Sequence, residues 1–148
     1  MDVDLDCPEA NGLADLILPR PFAKFSRGSS DSAHYLYKAK SFGPTQRFAG
    51  NGPKSTLVEL RGDGSQTMIP PSIHPNGAKL TYTEINQDAS EVDYDKLLRL
   101  VSFLGACSEV AQLWTSGMRH CPSSYEMGHQ SGLSFGGSGR IMVWSQMN

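Results

Sequence analysis

At 148 residues, 39% hydrophobic, with Gly 15 and Pro 9, the chain suits one turn-rich domain, with room for a short appendage, rather than a helical bundle. Its net charge of −2 argues against a uniformly basic nucleic-acid binder. The absence of a run of about 18 apolar residues, or of a basic-then-apolar leader, argues against a membrane span and a secretory signal. Cys7, Cys107 and Cys121 form no CxxC pair, which fits a reduced, cytoplasmic setting better than a disulfide scaffold. Charge is unevenly distributed. Acids Asp2, Asp4, Asp6, Glu9 and Asp15 open the chain without a base. Bases dominate residues 20–61, and residues 84–95 are acidic again. A basic middle beside an acidic cluster suits a metal-plus-phosphate site, and equally an uneven surface.

In chain order, Asp2-Val3-Asp4-Leu5-Asp6 alternates acidic and apolar residues, so a strand puts the three carboxylates on one face. Like charges so close call for a cation, and hard divalent ions take oxygen ligands. Pro8 suits a first helical turn, capped by Asp6 or Cys7. Ala10, Leu13, Leu16 and Ile17 continue at helical spacing until Pro19 and Pro21. The carboxylates therefore fall at the C-terminal end of a strand that runs into a helix, a common place for a site.

Phe22 to Phe25 and His34 to Lys38 read as strands around a loop holding Arg27, Gly28, Ser29 and Ser30. Residues 40–54, with Gly, Pro, Asn and Lys, read as a mobile connection. Thr56 to Arg61 is a strand with Leu57, Glu59 and Arg61 on one face and Val58 and Leu60 on the other. Gln66 to Ile69 and Lys79 to Thr83 are further strands, with an Asn76-Gly77 turn between them. Tyr94, Leu97, Leu98, Val101, Leu104, Val110, Ala111 and Trp114 fit one long amphipathic helix with Gly105 as a weak point. Residues 120–148 are Gly/Ser-rich and are expected to be poorly ordered. The fold class is α+β, with a β-rich part over 1–83 and a helical appendage over 84–119.

Several residues suggest chemistry. Asp4 and Asp6 are candidate metal ligands, although acidic strand faces are common. Glu59, flanked by apolar residues, needs a partner: a metal, or more simply Arg61 on the same face. Ser32 and His34 follow a small-residue loop with Arg27, a set able to hold phosphates. Ser72 and His74 sit in the stiff run Pro70 to Gly77. Cys107, His120, Cys121 and His129 lack regular zinc spacing, and no G-x-S-x-G supports a hydrolase.

Taken in order, D-L-D-C-P-E-A (4–10), S-x-H (32–34), L-V-E-L-R-G-D-G (57–64) and P-P-S-I-H-P-N-G (70–77) resemble the bifunctional primase/polymerase (prim-pol) family of the archaeo-eukaryotic primase superfamily. The resemblance covers residues 2 to 83, and L-W-T-S-G-M-R-H (113–120) resembles the start of the helical region that often follows. It implies an RRM-like catalytic sheet and template-directed nucleotidyl transfer with two divalent ions, Mg²⁺ or Mn²⁺. The metal-binding and catalytic acids fall on Asp4, Asp6 and Glu59, where many relatives have Asp in the last place. The resemblance also implies that His34 is catalytic and contacts the nucleotide phosphates. Arg27, Ser32, Lys38, Arg61, Ser72 and His74 are assigned to nucleotide, phosphate or template contacts, and Asp2 is left as a bystander.

Implied partners are a single-stranded DNA template, a primer and (d)NTPs, with a helicase in a longer protein or operon and no membrane. Plasmids, phages and other mobile elements often encode such proteins, in bacteria and archaea. Relatives usually carry a further N-terminal part, so the expectation is a fragment with weak or no polymerase activity on its own. Two alternatives stand beside this reading: a non-catalytic nucleic-acid-binding remnant of the same fold, and a metal-dependent nuclease or other phosphotransfer enzyme using the same acids.

Overall fold

The structure, a computed structural model, describes residues 1–28, 33–50, 55–119, 133–136 and 140–143. Strand β1 (Asp2–Leu5) leads into helix α1 (Pro8–Ile17), followed by β2 (Ala23–Ser26), β3 (Ala33–Leu36), β4 (Gln46–Ala49), β5 (Thr56–Arg61) and β6 (Thr81–Ile85). The long helix α2 (Tyr94–Arg119) follows, and then the antiparallel pair β7 (Leu133–Gly136) and β8 (Arg140–Val143). The first six strands form one antiparallel sheet in the order β4-β5-β1-β3-β2-β6. The expected α+β class is borne out, and the architecture is consistent with a partial primase/polymerase sheet followed by a helix.

The acidic–apolar alternation of β1 decides which side of the sheet is core. Val3 and Leu5 are fully buried with Val58 and Leu60 of β5, Tyr35 of β3, and Ala10 and Ala14 of α1. Helix α2 adds Leu97, Val101 and Leu104 to the same cluster. Over Tyr94–Ser116 this helix is apolar enough, by length and composition alone, to pass for a membrane span. Burial of Leu97, Val101 and Leu104 under the sheet explains part of that apolarity. Val110, expected on the buried face, is exposed, as is Leu16 of α1. Gly105 faces Phe48 of β4, which a Cβ there would approach to 3.0 Å.

Cys7, rather than Asp6, caps α1: its Sγ accepts from the Ala10 N–H at 3.4 Å, and Pro8 occupies the first turn. Two expected elements differ. The connection 40–54 contains β4, an edge strand exposed along most of its length. Its single ladder, to β5, shifts register at Phe48/Ala49. Residues 66–69 form no strand; Gln66, Met68 and Ile69 are exposed there. The Asn76-Gly77 turn is present, with Gly77 at φ 86° and an Ile73–Lys79 bridge beyond it. Gly62, directly after β5, permits a close approach, since a Cβ there would lie 2.0 Å from the Gly43 carbonyl oxygen. Within 120–148 the described residues are the strands β7 and β8, and the remainder lies outside the described residues.

Candidate functional site

Asp2, Asp4, His34, Glu59 and Arg61 occupy the sheet face opposite the helices. In β1, Asp4 stands directly across from His34 of β3 on one side and from Glu59 of β5 on the other. Directly opposed residues of an antiparallel pair share a face, so the middle of the sheet concentrates these charges. The segment between β5 and β6 crosses over them. Thr67 Oγ1 donates to Asp2 Oδ2 at 2.8 Å, His74 Nε2 lies 3.2 Å from Arg27 Nη1, and Leu80 is buried. Under this cover Asp2 is 3% exposed, Asp4 4% and Glu59 7%, values at which an unpaired carboxylate is costly.

Arg61 supplies most of the compensation. Its guanidinium reaches Asp4 Oδ2 at 2.5 Å, Glu59 Oε2 at 3.2 Å and Asp2 Oδ2 at 3.9 Å. Arg47 of β4 holds the other Glu59 oxygen at 3.0 Å. Burial nonetheless pushes Asp4 up to about 6, against the pull of His34 and Arg61, with Asp6 and Asp2 adding repulsion. Partial burial also raises Asp6, and Glu59 adds to that rise while Arg61 opposes it. Burial works against the Arg61 charge, yet attraction to Asp4, Glu59 and Asp2 carries its pKa above the ordinary value.

His34 is held from several sides. Its Nδ1 lies 3.1 Å from Asp2 Oδ2 and 3.5 Å from Asp4 Oδ1, and Phe25 of β2 stacks on the ring at 4.6 Å, within 6° of parallel. A cleft of about 240 Å³ opens beside it, lined by Asp4, Arg27, His34, Arg61 and His74 together with apolar Met68 and Leu80. A second cleft of about 470 Å³ shares Arg61 with the first and is lined also by Asp2, Phe22, Leu36, Phe42 and Asp63.

Of the residues singled out in the sequence, Asp4, Glu59, His34, Arg27, Arg61 and His74 are brought together. Asp6 follows β1 at the same end, solvent-exposed, with its N–H bonded to the Leu57 carbonyl. Lys38 lies apart: its ammonium donates to the Gln87 carbonyl at 2.5 Å and sits over the Phe22 ring. Ser72 does not line the smaller cleft, and its backbone carbonyl accepts from Leu80 N–H. Ser32 lies outside the described residues. Sequence reasoning passed over Asp2, Phe25 and Thr67. Only the alternation of β1, which gives Asp2 the same face as Asp4, pointed to the first of them.

Two oxygens of the site are of the kind that a divalent ion takes. Asp2 Oδ1 and Asp4 Oδ1 are buried and, among the described residues, have no hydrogen-bond partner. Hard-cation ligation would satisfy such oxygens. The arrangement is nevertheless closed by arginine: among the described residues no group of three His, Cys, Asp or Glu converges to hold an ion, and Glu59 is committed to Arg47 and Arg61.

An antiparallel sheet with helices on one face, and on the other a cleft combining carboxylates with Arg and His, defines an α+β protein with a polar, charge-dense site. The chain matches the family described as bifunctional DNA primase/polymerase, N-terminal (Prim-Pol), over residues 1–95, and it belongs to that family. Membership places it among DNA primase/polymerase-type nucleotidyltransferases, a replication class that generally uses divalent metals. Comparison with curated proteins and with solved structures gives no match.

Proposed function

We propose that this chain binds a nucleoside triphosphate in the cleft beside His34 and catalyses template-directed nucleotidyl transfer. The observation that carries the reading is the convergence of Asp4, Arg27, His34, Arg61 and His74 on one cleft. These residues come from β1, β3, β5 and two loops, and they combine acidic donors with groups that neutralise phosphate. Phosphoryl transfer demands positioning and charge neutralisation rather than a protein nucleophile. Asp4, Asp6 and Glu59 are the residues that would hold divalent ions, in competition with the Arg61 guanidinium. Such ions, when bound, supply charge stabilisation at the attacking and leaving oxygens.

The chain's own residues do the rest. Arg27, His34 and His74 bind and orient the triphosphate, and the stacked Phe25 keeps the His34 ring from turning away. The segment over the cleft limits water around the phosphates. Arg47, largely exposed on the edge strand, would add a cation for a template backbone, and such contacts give salt-sensitive, largely sequence-independent binding. A longer protein or an operon partner would add a helicase.

A second reading, a non-catalytic nucleic-acid-binding member of the same fold, draws support from Arg61. That residue neutralises Asp4 and Glu59 without any metal. Primer extension separates the two readings: primed single-stranded DNA, dNTPs and Mn²⁺ or Mg²⁺, with an Asp4→Ala/Asp6→Ala form alongside. Extension that disappears in the double variant supports catalysis. Retained template binding without extension supports the second reading, and template degradation points to a nuclease.

A further inference from the structure

We infer that Asp2 is a positioning residue for His34: it fixes the ring through Nδ1 and reserves Nε2 for the phosphates of the incoming nucleotide. The inference rests on the proposed triphosphate cleft and extends it to a residue outside the motif acids.

Four observations carry it. Asp2 is almost wholly buried, on the same sheet face as His34 and one register step away across the β1–β3 ladder. Asp2 Oδ2 lies 3.1 Å from His34 Nδ1. A carboxylate only accepts, so Nδ1 carries the proton in this pair. The same oxygen is itself held by Thr67 Oγ1 at 2.8 Å, so the carboxylate cannot swing freely. Phe25 stacks on the ring and blocks rotation out of its plane. The imidazole is thus constrained at one nitrogen and over one face, while His34 borders the cleft shared with Arg27 and His74. A carboxylate behind an imidazole sets the tautomer and aim of the ring without touching the ligand.

The test uses the full chain, with His-selective ¹⁵N labelling and dATP as the probe. The ring signals of His34 are assigned by their loss in His34→Gln. Asp2→Asn is expected to shift the His34 ring away from the Nδ1-protonated pattern and to weaken dATP binding roughly tenfold. In the His34→Gln background, Asp2→Asn is expected to add no further loss, because its effect runs through the histidine. Thr67→Val, a milder change that keeps Asp2, is expected to move both readouts the same way by about threefold in affinity.

An unchanged ring pattern in both Asp2→Asn and Thr67→Val overturns the positioning role. So does an equal loss of dATP binding with and without His34, which marks Asp2 as merely structural. If His34→Gln binds dATP as well as the parent does, the triphosphate reading itself fails, whatever the ring pattern shows.

Discussion

Replacing Arg61 by Met tests how the charged cleft is neutralised. Methionine keeps most of the apolar stem but removes the cation that touches Asp4, Glu59 and Asp2 together. Leaving Asp4 ionised and buried would be expensive, yet proton uptake sets a limit. Burial has already pushed Asp4 up to about 6, so neutralising it at pH 7 costs on the order of 1 kcal/mol. Glu59 loses its 3.2 Å partner but keeps Arg47 at 3.0 Å, a further loss of about 1 kcal/mol. The sum is about 2 kcal/mol, or roughly 4–8 °C in melting temperature for a chain of this size. The assay is thermal unfolding in EDTA, at pH 7 and again at pH 5. At pH 5 the parent's Asp4 is itself mostly protonated, so the gap should fall by about half. Adding Mn²⁺ at pH 7 should raise the variant's melting temperature more than the parent's, since a tethered cation no longer competes for the carboxylates. A gap that is absent, that is equal at both pH values, or that Mn²⁺ leaves untouched refutes the reasoning.

Other perturbations follow from the same geometry. With divalent ions chelated, Asp4 holds its proton more tightly in the folded chain than at its ordinary 3.8, so stability should decline as pH rises from about 4 to about 6 and then level off. Urea unfolding of Asp4→Asn should lack that decline, and a matching slope in the variant would assign it to another group. Phe25→Leu removes the ring stacked on His34 while keeping most of the apolar volume. It should cost about 1–1.5 kcal/mol and weaken dATP binding several-fold; unaltered affinity would mean the stack does not steady the histidine. Gly62→Ala drives a Cβ to within 2.0 Å of the Gly43 oxygen, so the 43–63 backbone contact must open. A loss of about 1–3 kcal/mol in chemical denaturation is expected, and a variant as stable as the parent would contradict that close approach.

Much of the charged face was legible in the chain because a strand repeats every second residue. Alternation in β1 and β5 placed Asp4, Glu59 and Arg61 on one side and Val3, Leu5, Val58 and Leu60 on the other, and the ladder between them keeps that division. The edge strand β4 was not legible. Gln46–Ala49 is short, mostly exposed and set among Gly, Pro, Asn and Lys, so it lacks the apolar rhythm that announces a strand. The opposite error arose at 66–69, where plausible strand residues form no ladder and instead bring Thr67 over Asp2 and Gln66 and Met68 to the cleft wall. Asp2 looked like a bystander for the same reason: its burial depends on that remote segment, not on its neighbours in the chain.

By itself, the amino-acid sequence determined the faces of the central strands, the start of α1 at Pro8, the long α2 and the ordered motifs that mark the Prim-Pol family. All of these are set by local periodicity and spacing. Only the tertiary structure decided which charge answers which. Arg61 meets Asp4 across 57 positions, Thr67 meets Asp2 across 65, and Arg27 meets His74 across 47. Ion pairing and desolvation depend on distance through space and on burial. These are properties of the packed sheet and the segment laid over it, and no stretch of the chain displays them alone.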